Sequence, residues 1–319
     1  MVGNQVSRNI EPTPEFNAEG RALLTQWEQG DLPFRELIQA LNQMLKHATR
    51  TRHHANEARA QHFLGYVQHY SGNLSTSIMH YEKSRRLFKR IGNLNRVSII
   101  DLNQGENYRM RGEFARARRL YQAAYTGARD HDNHEIMAMA IMNEGLTLLD
   151  MGDYDPAREA LLEGYHLFDA MPSPHQKIHE ILAELHHAMA RIDCETGQIP
   201  SARQQALETL HHAEISQNAM MHGYALRLMG DIRTQDTTPI HETLPQTSDE
   251  FYFAAIHIFQ ELGADGEAAR TIFARAKSMA QRGKKRAAAK LYRDAMTAFT
   301  RLDMTYDAAR AADAQLKLL

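Results

Sequence analysis

The chain has 319 residues, 43% of them hydrophobic, a formal net charge of -2 and a pI near 6.8. That apolar content can fill a substantial core and excludes global disorder, while the near-neutral balance excludes a general attraction to nucleic acid or anionic lipid. A single cysteine, Cys194, excludes an intramolecular disulfide and fits a reducing compartment.

The first residues, Met1 to Gln5, are polar and lack the apolar centre of a signal peptide, and no stretch has the length needed to cross a bilayer. A soluble, cytoplasmic protein with no membrane partner is expected. Residues 1–16 read as a disordered tail, and 17–50 as a helix pair turning at Gly30-Asp31, an N-terminal cap. No proline occurs between Phe34 and Asp155 or after Gln246. Such tracts, rich in Ala, Leu, Arg, Glu and Gln, predict helices joined by short turns, with Pro156 and Pro200 at helix starts.

From residue 51 the chain repeats itself. Gly65, Gly72, Ser77 and Tyr81 recur as Gly105, Gly112, Ala117 and Tyr121, then as Gly145, Gly152, Ala157 and Leu161, in steps of 105 − 65 = 40 and 145 − 105 = 40. Weaker copies have Ala190, Gly197, Ala202 and Ala206, and later Ala276, Gly283, Ala288 and Tyr292. A broken copy starts at Met229-Gly230 and is expected to resume at Ala255 and Phe259. A glycine inside a helix costs about 1 kcal/mol relative to alanine, so its recurrence predicts a close helix crossing, with the small residue facing it. The second glycine ends the first helix in a left-handed cap, and the tyrosine fills the space between helices. Residues 51–235 thus form the main array, and 236–248, with Pro239 and Pro245, an insertion loop expected to be mobile. Residues 249–302 form further helix pairs and 303–319 a terminal capping helix.

This pattern resembles the tetratricopeptide repeat in its longer form of about forty residues, found in kinesin light chains and in bacterial regulators of the maltose-activator type. Asn143-Glu144-Gly145 with Gly152-Asp153-Tyr154 and Ala157 is the best copy. The resemblance implies an all-α, right-handed α-solenoid of antiparallel helix pairs whose first helices line a concave groove. Groove positions are then Arg59, His62, Tyr66, His69 and Tyr70 in one copy, and Ile99, Leu102, Glu106, Arg109 and Met110 in the next. Met139, Met142, Leu146, Leu149 and Asp150 follow, then Glu184, His187, Arg191, Cys194 and Glu195. An apolar stripe in the middle is either covered by a ligand or buried by superhelical packing. The resemblance also gives Asn103 and Asn143 the role of gripping a peptide backbone, with capping or inter-helix bonds as the alternative. The expected peptide-binding set is Asn103, Asn143, Tyr66, Arg109, Met139, Met142, Leu146 and Arg191. The lysine–asparagine clamp that relatives use for a terminal carboxylate is not reproduced, since position 62 is histidine.

Chemistry-bearing motifs are near misses. His134-Glu135 and His179-Glu180 begin like zinc-protease helices, but Ala138 and Ala183 stand where the second histidine is needed. His175 and His179 share a helical face; a His-dependent metal hydrolase is the alternative of another class. Cys194 reads as a small buried side chain rather than a nucleophile. The basic run Lys83, Arg85, Arg86, Lys89, Arg90 and Arg116, Arg118, Arg119 reads as a solvated face without interleaved aromatics. The sequence therefore predicts no cofactor and no enzyme, but an adaptor or scaffold that binds a peptide or helix of another protein. A peptide-responsive sensor is the alternative within the family.

Overall fold

A computed structural model describes residues 10–171 and 178–318. The described residues fold entirely into helices and turns, with no strand among them. They form two compact units, residues 10–148 with 159–171, and residues 149–158 with 178–318.

In the first unit, α1 (Pro14–Glu28) and α2 (Phe34–Arg50) form a hairpin, followed by α3 (His54–Tyr70) with α4 (Leu74–Arg90) and α5 (Leu94–Met110) with α6 (Phe114–Arg129). Most of α7 (His134–Met151) and of α8 (Tyr154–Asp169) completes it, and the turn that joins these two helices counts with the second unit. Helix α1 starts inside the segment read as a tail: Pro14 opens it and the Thr13 hydroxyl accepts from the Phe16 amide at 3.3 Å. The remainder of that segment, residues 1–9, lies outside the described residues.

First and second helices bury different amounts of surface. On α2 the core is one stripe, Leu37, Leu41, Met44 and Ala48, and α6 repeats the spacing with Ala117, Tyr121, Ala124 and Ala128. Helices α3 and α5 are buried on most sides, because α1 packs on α3 and α3 on α5 while the second helices flank them. Their starts, and that of α7, are fixed by a cap that recurs every 40 residues: His53, Asn93 and Asn133 each accept from the backbone amide three residues on, at 3.1–3.2 Å. Their ends fall at glycines such as Gly72 and Gly112, with φ of 85° and 73°.

The crossing between paired helices is a tyrosine ring laid on a glycine. A Cβ on Gly65 would stand 2.6 Å from the Tyr81 ring, and one on Gly105 2.4 Å from Tyr121. It is the ring, more than the small residue, that occupies the space a glycine leaves. Ser77 adds a bond from its hydroxyl to the Gly65 carbonyl at 2.6 Å. Overpacking such a contact typically costs about 1–3 kcal/mol.

The second unit contains α9 (Ile178–Glu195), α10 (Ile199–Ile215), α11 (Ala219–Gln235), α12 (Ser248–Glu261), α13 (Asp265–Gln281), α14 (Lys285–Arg301) and α15 (Thr305–Leu316). Where the glycine and the large ring are both missing, Ala190 and Ala206 take their places and are fully buried. Gly230 meets Tyr252, whose ring is 2.7 Å from a hypothetical Cβ, while Phe259 rests on Gly223. The repeat thus resumes at Tyr252, not at Phe259, because the insertion changes the count between helices. The insertion itself is braced. Arg203 donates to the Thr238 and Pro239 carbonyls at 3.0 and 2.6 Å and pairs with Asp236 at 3.0 Å. Arg233 donates to the Asp236 and Gln246 carbonyls. Thr247 and Glu250 form a capping box at the start of α12, and Ile240 is buried. A mobile loop was the expectation from its composition; two arginines supply bonds that composition does not reveal.

Candidate peptide-binding face

In the first unit, α1, α3, α5 and α7 present the candidate site, and its members differ in how much they can offer a ligand. Asn143 is 9% exposed, and its side-chain amide makes no hydrogen bond to any other described residue. Met139 and Leu146, one helical turn to either side, are half-buried, Met139 resting on the core around Tyr121 and Ile136. Met142 is different. At 3% exposure it packs against α8, where a Cβ on Gly164 would be 2.5 Å from its Cγ, so it is core rather than contact surface. The apolar stripe divides in the same way: Leu102 and Met110 are buried, Ile99 is half-buried.

Tyr66 donates its hydroxyl to Glu28 at 2.7 Å and meets Tyr70 edge-on; burial and the Glu28 charge drive its pKa well above the usual phenol value. Arg109 pairs with Glu106 at 2.8 Å, and the Tyr121 hydroxyl donates to the same carboxylate. Burial would raise Glu106, but Arg109 and these hydrogen bonds hold it below the usual carboxylate range. Arg191 lies in the second unit, paired with Asp150 at 2.7 Å.

Asn103 is bound into a polar cluster that sequence reasoning did not assemble. Arg59 on α3 is 6% exposed; its Nε donates to Asn17 Oδ1 of α1 at 2.8 Å and its Nη1 to His62 Nδ1 at 2.8 Å. The Asn103 amide of α5 stands 2.8 Å from the other ring nitrogen, His62 Nε2. Arginine can only donate, so Nδ1 accepts and the ring proton sits on Nε2. The Asn103 nitrogen that stands against Nε2 would be a donor facing a donor, so the amide is assigned the other way round, with its oxygen accepting from the ring and its NH2 directed elsewhere. Burial, then the charges of Arg59, Arg96 and Arg21, hold His62 well below its ordinary pKa and keep it neutral. His62 and Arg59 appear in the groove series, but nothing in their spacing shows that one locks the other.

The second unit holds the remaining motifs. The Cys194 thiol is pushed up to about 12 by burial and by the nearby charges of Asp231, Glu195 and Asp193, which suppresses the thiolate. His179 hydrogen-bonds His212 at 2.9 Å across α9 and α10; His175 lies outside the described residues. No three His, Cys, Asp or Glu side chains among the described residues converge with metal-holding geometry. Members of the basic run are engaged: Arg85 is bidentate to Asp101, Arg118 pairs with Glu144, and Arg116 lies over the Tyr108 ring at 3.8 Å. No described helix is long and apolar enough to cross a membrane.

Against known proteins, the model of the MalT-like TPR region matches residues 32–257, more than half of the chain. No curated protein sequence matches it. Among solved structures, a Rap protein complexed with competence and sporulation factor is similar with a TM-score of 0.64 at 12% identity, over 98% of this chain and 89% of that one. Aspartyl phosphate phosphatase F from Bacillus subtilis gives 0.61 at 12%, over 87% and 68%. The apo quorum sensor NprR from B. thuringiensis gives 0.54 at 14%, over 95% and 86%. These likenesses establish the fold. With the 40-residue helix pairs, the tyrosine-on-glycine crossings and the family match together, the chain belongs to the MalT-like tetratricopeptide-repeat family.

Proposed function

We propose that the protein is an adaptor that binds a peptide or helix of a partner protein on the first-helix face of α3, α5 and α7, and that it works as a binder rather than an enzyme, in the cytoplasm. The observation that supports this most is the Asn143 amide, with no hydrogen bond to any other described residue and half-exposed Met139 and Leu146 beside it. A carboxamide offers a donor and an acceptor to any peptide bond, and methionine adapts to varied apolar side chains. In this reading Asn143 holds the backbone through donor and acceptor, the Asn103 NH2 adds a donor, Met139 and Leu146 take an apolar side chain, and Met142 supports them from behind. Arg109 with Glu106, Tyr66 with Glu28, and Arg191 with Asp150 offer polar rims already paired within the protein. A peptide-responsive sensor is a second reading, favoured by the structural likeness to a Rap protein solved with a bound factor and to a quorum sensor.

The test is retention of a random heptapeptide library on the immobilised full chain, with affinities of recovered peptides measured by calorimetry. Each backbone hydrogen bond contributes about 0.5–1.5 kcal/mol net. Asn143→Ala should therefore weaken recovered peptides by up to about tenfold, and Asn103→Ala with Asn143→Ala by about one to two orders of magnitude. Peptides that bind both variants as they bind the wild type would place the site elsewhere.

A further inference from the structure

Residues 10–13 lie in the segment read as a tail, yet they are held. The Thr13 amide donates to Asn56 Oδ1 on α3 at 2.9 Å. Asn93, at the start of α5, donates its side-chain NH2 to the Ile10 carbonyl at 3.0 Å and to Glu11 Oε1 at 2.7 Å. Arg96, three residues on, pairs with the other Glu11 oxygen at 3.2 Å. The arm that leads into α1 thus runs across the starts of α3 and α5, gripped by asparagines 43 and 83 residues away.

Three features mark this arm as a ligand that the chain carries with it. Its backbone is recognised by asparagine side chains, Asn56 accepting from an N–H and Asn93 donating to a carbonyl, which is a sequence-tolerant grip on extended chain. Pro12 and Pro14 disfavour helix at Glu11 and Thr13, so α1 does not grow backward and absorb the arm; Thr13 is extended, with φ −61° and ψ 145°. The hold is also loose, since Glu11 is 59% exposed and an ion pair that open to water contributes little.

The arm lies where a peptide on this face would pass. Arg96 precedes Asn103 by 103 − 96 = 7 residues, two turns away on one face of α5. The Glu11 charge also reaches Arg59, whose partner His62 is hydrogen-bonded to Asn103.

We propose that the arm Ile10–Thr13 is a built-in competitor, docked on the starts of α3 and α5 and displaced when a peptide binds. This rests on the peptide-binding reading above and adds a regulation to it. A tethered competitor needs no second protein: apparent peptide affinity is reduced to the fraction of molecules whose arm is undocked.

Two variants of the full chain release the arm from opposite sides. Glu11→Lys alters the arm alone and sets a cation against Arg96. Asn93→Asp keeps the cap of α5, because aspartate accepts from the Arg96 amide as asparagine does, but it removes both donors and faces Glu11 with a like charge. Each should retain a random heptapeptide library about three- to tenfold better than wild type, with the cooperative melt preserved. In wild type, a recovered peptide should speed hydrogen exchange at the Thr13 amide, which the bond to Asn56 protects. Retention by the variants alone would show an arm that closes the face completely. Retention by both variants equal to or poorer than wild type, or Thr13 exchange indifferent to bound peptide, would overturn the competitor while leaving peptide binding in place. Retention by none of the three would remove the peptide reading, and this one with it.

Discussion

Arg59, buried on α3, and Arg270, half-buried on α13, occupy first helices of the same repeat type and meet opposite surroundings. Arg270 lies between Glu267 at 2.8 Å and Asp307 at 2.7 Å, and Arg227 reaches Glu267 at 2.7 Å. Burial alone would lower its pKa, but the two carboxylates raise it above the ordinary arginine value. Glu267 answers in kind: burial would raise it, and Arg270 and Arg227 hold it at about 2. Arg59 has the Asn17 amide oxygen and a neutral imidazole instead, and burial outweighs the pull of the Glu11 charge. Both units carry the ring-on-glycine crossing, Tyr81 on Gly65 of α3 in the first and Tyr252 on Gly230 of α11 in the second. What differs is whether the protein supplies its own counter-charge. A closed charge network is satisfied within the protein, and an open one leaves a buried cation without a counter-charge.

The comparison can be broken most directly at α13. Glu267→Gln should leave Arg270 and Arg227 short of an acid and cost about 3–5 kcal/mol in urea unfolding. Arg59→Met, which removes a charge that lacks an ion partner, should stay within about 1 kcal/mol of wild type. Equal losses would show that both arginines are structural. Next in size, Gly105→Ala and Gly230→Ala should each lose about 1–3 kcal/mol, since both insert a methyl under a tyrosine ring. A large difference between them would mean that the two units are not built by the same crossing.

The smallest effect is in pH. The folded pKa of His62 is depressed, so the stability it contributes is present above the unfolded value near 6.5 and is lost as pH falls below it. The slope is at most about 1.4 kcal/mol per pH unit. Glu267 is also depressed, from 4.5 to about 2, and its contribution is lost only within that acid window. Melting temperatures from pH 7 to 5 should fall less for His62→Gln than for wild type, and Glu267→Gln should not change the slope there. An unchanged slope in His62→Gln would show that the imidazole protonates freely in the fold.

Much of the fold was legible because the 40-residue step is local: a glycine, a turn glycine and a tyrosine 16 positions on state the helix crossing in one stretch of sequence. The buried stripe on α6, Ala117, Tyr121, Ala124 and Ala128, is likewise visible as a helical period. The site was less so. Whether Met142 faces a ligand or α8 depends on Gly164, and whether Asn103 is spare depends on His62, 41 residues earlier. Arg59 is harder still, because its significance is that no described carboxylate stands within ion-pair distance of it. Spacing identifies which residues share a helix face; hydrogen-bond accounting across helices is needed to say which of them are already spent.

The braced insertion between α11 and α12 bears on how such arrays tolerate change. From Gly65 to Tyr81, and from Gly105 to Tyr121, the separation is 16 residues; from Gly230 to Tyr252 it is 22, yet the ring closes on its glycine at the same range. Turn length is therefore not the ruler of the helix pair. The ring-on-glycine contact acts as a latch that finds its own register, and the polypeptide between its halves can grow as long as neighbouring side chains hold it, here Arg203 of α10 and Arg233 of α11. Such a turn is a natural port for added sequence: a foreign segment inserted near Glu242, between those anchors, would leave the latch shut and hang from the array without entering it.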